Sequence, residues 1–139
     1  MKAIDTNVLV RLLTRDDPAQ AAVAAAEMRD GPIYVSATVL LETEWVLRHA
    51  YSFTREQVGG ALLGVVSLAG ATIDDEAAVR KALRWHAAGM DLDDALHVAR
   101  AEHAEEFVTF DRRFAVGAAR LDVGPAVRLL KAEGPSPAP

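Results

Sequence analysis

Short apolar runs alternate along the chain with longer stretches in which apolar residues recur at helical spacing. Lys2-Ala3-Ile4 reads as a first strand, followed by a polar Asp5-Thr6-Asn7 turn and a helix from Val8 to Thr14. Asp17-Pro18 predicts the next helix, an N-cap followed by proline at the first helical position. That alanine-rich helix runs to about Arg29 and stops at Gly31-Pro32. Ile33-Tyr34-Val35 is the second predicted strand, and Ser36 can cap a helix carrying Thr38 to about Ala50. Thr54-Arg55-Glu56-Gln57 fits a capping box for a helix reaching about Leu68. Ala71-Thr72-Ile73 is a brief third strand, after which Asp74 is placed to cap a helix closing near Gly89. Asp91 opens a further helix to about Ala104, and Phe107-Val108-Thr109-Phe110 is the best-defined strand. After Asp111 the pattern weakens, with Gly124-Pro125 read as the start of a last helix through Leu130.

Strands alternating with helices imply an α/β fold: a mostly parallel central sheet flanked by helices in three layers. Length fits one domain, residues 1–132, followed by a Pro-rich tail, residues 133–139, expected to be disordered. In sheets of this kind ligands bind beyond the carboxyl ends of the strands. Asp5 and Asp111 each follow a strand, and the acids of the helix opening at Asp91 are expected at the same edge. Glu42 lies about two turns into the helix after the second strand, in a mainly apolar stripe with Thr38, Val39, Trp45 and Val46. A carboxylate there is costly to bury unless paired or bound to metal. Glu44, among Leu40, Leu41 and Leu47, is open to the same argument, and periodicity does not choose between the two.

Composition changes this picture in few places. Hydrophobic residues make up 51% of the 139 residues, enough for a core, while aromatics are only 6%. The absence of cysteine removes disulfides, zinc–thiolate sites and cysteine nucleophiles together. Asp5 and Asn7 interrupt the apolar run at the N-terminus, and Arg11 and Arg15 follow, so a secretory leader is not expected. No apolar stretch is long enough to span a bilayer. A cytoplasmic protein is the expectation.

A net charge of −5 argues at face value against nucleic acid. Setting aside four carboxylates clustered on metal leaves about −1, so charge is neutral evidence on partners. Carboxylates meeting in one cleft repel strongly: one pair about 4 Å apart costs roughly 4 kcal/mol at an effective dielectric near 20. A cation relieves this, and all-oxygen ligands suit magnesium or manganese rather than zinc. Taken singly, Asp91, Asp93, Asp74 and Asp75 read as ordinary helix-cap and dipole partners. His97 reads as a core or surface histidine, and Trp45 and Trp85 as core. Arg112 and Arg113 flank Asp111 and can position phosphate, as can Arg11 and Arg15, which share a helix face.

With these residues in view, the chain resembles PIN-domain ribonucleases, and specifically the VapC-type toxins of VapBC toxin–antitoxin pairs. Ala3-Ile4-Asp5-Thr6-Asn7-Val8-Leu9 resembles the family's opening, with Asp5 as first metal ligand and Thr6 or Asn7 supporting it. Leu41-Glu42-Thr43-Glu44-Trp45-Val46-Leu47 resembles the second block, in which the earlier acid is catalytic; this implies Glu42. Asp91-Leu92-Asp93-Asp94-Ala95-Leu96 resembles the third, in which the acid before Ala-Leu is the ligand; this implies Asp94, with Asp91 and Asp93 as neighbours. Val108-Thr109-Phe110-Asp111-Arg112 resembles the fourth, implying Asp111 with Thr109 as a supporting hydroxyl. Thr43 stands where the family usually has an aliphatic residue, and Asp93 is an additional acid.

The resemblance implies one or two Mg2+ or Mn2+ ions held by Asp5, Glu42, Asp94 and Asp111, and a water attacking an RNA phosphodiester in line. It further implies a transfer RNA or other structured RNA as substrate, a cognate antitoxin whose C-terminal segment blocks the site, and a homodimer. Two rivals fit poorly. A haloacid-dehalogenase-type phosphatase needs an aspartate where Asn7 stands, and a response-regulator receiver needs an acidic pair after the first strand and a lysine near the last. The lysines are Lys2, Lys81 and Lys131. A catalytically silent interaction domain on the same fold, and an RNA-processing nuclease that is not a toxin, are the nearer alternatives. A short antitoxin gene immediately upstream separates the toxin from the latter.

Overall fold

A computed structural model describes residues 1–132; the tail read at residues 133–139 lies outside them. Five strands, β1 (Lys2–Ala3), β2 (Ile33–Val35), β3 (Ala71–Ile73), β4 (Glu106–Thr109) and β5 (Ala126–Leu129), alternate with seven helices among the described residues. The helices are α1 (Thr6–Thr14), α2 (Pro18–Arg29), α3 (Ala37–Ala50), α4 (Arg55–Val66), α5 (Glu76–Ala87), α6 (Leu92–Ala99) and α7 (Arg112–Arg120). Every strand pairing is parallel: β1-β2-β3 form one ladder and β4-β5 a second. The α/β class and the parallel sheet read from the sequence are therefore observed.

Local chemistry sets most helix starts. Asp17 accepts from the Gln20 amide (3.1 Å) with Pro18 behind it, and Ser36 accepts from the Val39 amide (3.2 Å). Thr54 and Gln57 complete a reciprocal capping box. Each satisfies amides that the first turn of a helix leaves without partners. Asp5 is itself the N-cap of α1, so Thr6 and Asn7 belong to the first helical turn rather than to a preceding loop.

The helices and sheet enclose one apolar core, running from Leu9 through Ile33, Val35, Leu47, Leu62 and Val98 to Phe114. No helix among the described residues is long and apolar enough to cross a membrane.

Several expectations are corrected. Asp74 does not cap α5; Asp75, at φ 50°, takes that position without a side-chain cap bond. The backbone continues β3 for one residue, with the Asp74 amide donating to the Val35 carbonyl (3.0 Å). This carries the Asp74 carboxylate to the start of α3, where it accepts from the Ala37 amide (3.4 Å). Helix α6 ends at Ala99, not near Ala104, because the exposed Glu102 and His103 give a longer helix no apolar face to bury. The strand expected at 107–110 is shifted by one residue, leaving Phe110 outside it.

The segment after Gly124-Pro125 is not a helix but strand β5. Val127 and Leu129 turn inward and Ala126 and Arg128 outward, and Arg128 grips Glu106 through two guanidinium nitrogens (2.8 and 3.0 Å). Pairing with β4, a partner distant in sequence, overrides the local pattern. Asp111, which as a lone acid can begin a turn or cap a short helix, caps helix α7, whose extent the weak pattern after it does not define. Trp45, expected in the core, is 56% exposed and lies against His49 one turn on, ring centroids 4.5 Å apart.

Leu62, fully buried on α4, is enclosed by α3, α5 and α6 side chains. Leu62→Ala is expected to cost about 2–5 kcal/mol, read as a lower urea midpoint with an unchanged slope. A loss under about 0.5 kcal/mol would contradict this packing.

Candidate metal centre

The acidic residues lie where strands and loops hand over to helices. Asp5 follows β1 and spends one carboxylate oxygen on the Thr6 amide (2.8 Å). Asp111 follows β4: its carboxylate accepts from the Phe114 amide (3.1 Å), while its own amide donates to the Thr109 hydroxyl (3.0 Å). Thr109 thus fixes the backbone at Asp111, and the carboxylate is held from the other side by the first turn of α7.

Three further acids surround the start of α6. Asp91 holds the N-cap position but makes no cap bond. Instead it faces the Arg55 guanidinium (3.7 Å), which also donates to the carbonyls of His86 and Met90 (2.9 and 2.8 Å). Arg55 therefore pins the loop entering α6, a role that only tertiary structure reveals. Asp93 accepts from the Asp94 amide (2.8 Å). Ordinary capping, sufficient for Asp91 from sequence alone, does not describe it here.

Oxygens of Asp91, Asp93 and Asp94 all lie within 4.8 Å of one another, and among the described residues no other group of three acids or histidines meets that criterion. Asp91, Asp94 and Asp111 also line one small cleft of about 50 Å³, closed by Gly89, Met90, Arg113, Phe114 and Gly117. The structure thus gathers Asp91, Asp93, Asp94 and Asp111. Asp5 and Glu42 do not join Asp91, Asp93 and Asp94 in that mutually close group. Their helices are nonetheless linked by packing, α1 against α3 and α3 against α6.

Glu42 is exposed on α3, whereas Glu44 is buried and held by Arg48 (2.8 Å). The carboxylate of Glu44 is thus already neutralised by its neighbour. Arg11 is likewise committed: it holds Gln20, Asp16 and Tyr51, tying α1 to the segments around it. Arg15 sits at the left-handed C-cap of α1 and does not extend the helical face of Arg11. Arg112 and Arg113 are exposed and make no ion pair among the described residues, and Arg113 stands in the cleft wall.

Electrostatics sets Asp94 apart. Burial first, then the like charges of Asp93, Asp91 and Asp111, push its carboxyl up to about 6, with His97 pulling weakly the other way. An all-carboxylate donor set under such repulsion fits a hard divalent cation, which the residues at the start of α6 and the end of β4 can hold. The Thr6 hydroxyl, buried beside Asp5 without a protein partner, is a second polar group left to be satisfied there.

The PIN-domain family model matches residues 2–119. No curated protein and no solved structure matches the chain.

Folding raises the pKa of Asp94, so the folded state holds its proton more tightly than the unfolded chain. Stability is therefore lost as pH rises from the ordinary value of 3.8 towards about 6, and the loss is complete above that. Asp94→Asn is expected to raise the metal-free melting temperature by a few degrees at pH 7.5 and to leave it unchanged near pH 3.5. Calorimetric melts in EDTA check this. A lower melting temperature for the variant at pH 7.5 would contradict the repulsion.

Proposed function

The chain belongs to the PIN-domain family, and on that premise we propose that it is a magnesium- or manganese-dependent endoribonuclease acting as the toxin of a toxin–antitoxin pair. PIN domains are generally nucleases. The observation that carries the reading here is Asp94, whose carboxyl is raised to about 6 by burial and then by three neighbouring acids, in a cleft that also presents Arg113. Such a site is costly without a cation and well suited to one.

In this reading Asp5, Glu42, Asp94 and Asp111 hold the metal. What supports adding Asp5 and Glu42 is the packing of α1 and α6 against α3, together with the four sequence blocks in their order. Asp91 and Asp93 add negative charge beside Asp94, and Thr6, Asn7 and Thr109 support the acids they adjoin. A bound divalent ion supplies activation of a water and stabilisation of charge on the phosphodiester. The chain's own residues orient the rest: Thr109 and the Phe114 amide fix Asp111, Arg55 restrains Asp91, and Arg113 offers a guanidinium to a phosphate oxygen. The substrate is a structured RNA such as transfer RNA, and the partners are an antitoxin covering the acidic cleft and a second copy of the chain.

Incubation with total RNA in magnesium, in manganese and in EDTA tests the activity. Discrete fragments are expected with either metal and none in EDTA. Asp94→Asn is expected to lower cleavage by about a hundredfold or more, since even outer-shell changes at metal sites cost 10–100-fold. Cleavage that survives EDTA, or that the variant retains in full, would count against a metal nuclease.

A further inference from the structure

Phe110 is 73% exposed, although it directly follows a strand whose other aromatic residue is packed inward. Phe107 lies against Phe114, ring centroids 5.4 Å apart, while Val108 and Phe110 face out two residues apart. A single exposed apolar side chain is ordinary. The position of this one is not. It sits between Thr109 and Asp111, whose hydrogen bond fixes the backbone at the cleft. Arg112 and Arg113 follow at once, both exposed and outside any ion pair among the described residues.

Within four consecutive residues, an exposed aromatic ring and two exposed guanidinium groups thus flank Asp111, which with Arg113 lines the acidic cleft. Consecutive Cα atoms lie about 3.8 Å apart, so long side chains three residues apart can reach the base and the phosphate of a single nucleotide. Base–aromatic stacking tolerates any base, because every base has a π face, and it requires the base to be unpaired.

We propose that Phe110 is the platform on which a base flanking the scissile phosphodiester stacks, with Arg113 holding the adjacent phosphate. This rests on the nuclease reading above and adds a base-stacking residue to it.

The test uses the full chain and a short fluorescein-labelled oligouridylate, with calcium in place of the catalytic metal, alongside steady-state cleavage of total RNA in magnesium. Phe110→Ala is expected to weaken oligonucleotide binding about tenfold, with kcat within about twofold of wild type and the melting temperature unchanged. Phe110→Trp restores binding. The penalty of Phe110→Ala should also vanish on an oligouridylate made abasic at the one position where the ring stacks.

Equal binding by Phe110→Ala and wild type, while wild type cleaves RNA, overturns the stacking role and leaves the nuclease reading intact. So does a penalty that persists whichever base is removed. A changed sedimentation coefficient with unchanged RNA affinity assigns the ring to a protein interface instead, and overturns the proposal as well. Wild type that neither binds the oligouridylate nor cleaves RNA removes the nuclease reading, and the proposal with it.

Discussion

Burial of Asp94 among like charges at the start of α6 is the constraint around which the acidic site is built. Three acids within four positions would, on a solvated helix, act as dipole partners and favour the fold slightly. Here the half-buried Asp94 has Asp91, Asp93 and Asp111 around it, and its carboxyl is raised to about 6. The fold invests rigid structure in keeping this arrangement. Arg55 on α4 clamps the two carbonyls before Asp91, and the first turn of α7 holds Asp111.

The parallel architecture explains how acids far apart in sequence come to follow the carboxyl ends of strands. β1 and β4 are each followed at once by an acid that caps the next helix, Asp5 for α1 and Asp111 for α7. Capping and metal binding are compatible, because each cap bond uses one carboxylate oxygen and leaves another. The local rule that starts a helix thereby also delivers a carboxylate to the strand's carboxyl end. Glu42 stands in the second turn of α3, the helix that lies against both α1 and α6.

What could be read in advance follows the range of the interactions concerned. The caps at Asp17, Ser36 and Thr54 depend on residues three apart and were legible. So were the four short acidic blocks, since each is local and their order is linear. Strand β5 was not legible: Val127 and Leu129 suit several structures, and pairing with β4 decides among them. Asp111 offered a cap for a short helix, but the weak pattern after it gave helix α7 no extent. Trp45 and Phe110 were misjudged or passed over because hydrophobicity alone implies burial, whereas their exposure depends on what the remaining elements leave uncovered. The clustering of Asp91 with Asp93 and Asp94 was present as spacing, but helix-dipole chemistry accounted for it equally well until Asp91 was seen to form no cap bond.

The central claim is that one divalent ion site draws on acids from α1, α3, α6 and the end of β4. Calorimetric titration of Mn2+ into the full chain and into its Asp5→Asn and Glu42→Gln variants at pH 7.5 tests this most directly. Saturable binding to the native chain is predicted, weakened at least about tenfold in each variant. Undiminished binding in both variants would contradict the claim, confining the metal to the acids around Asp94.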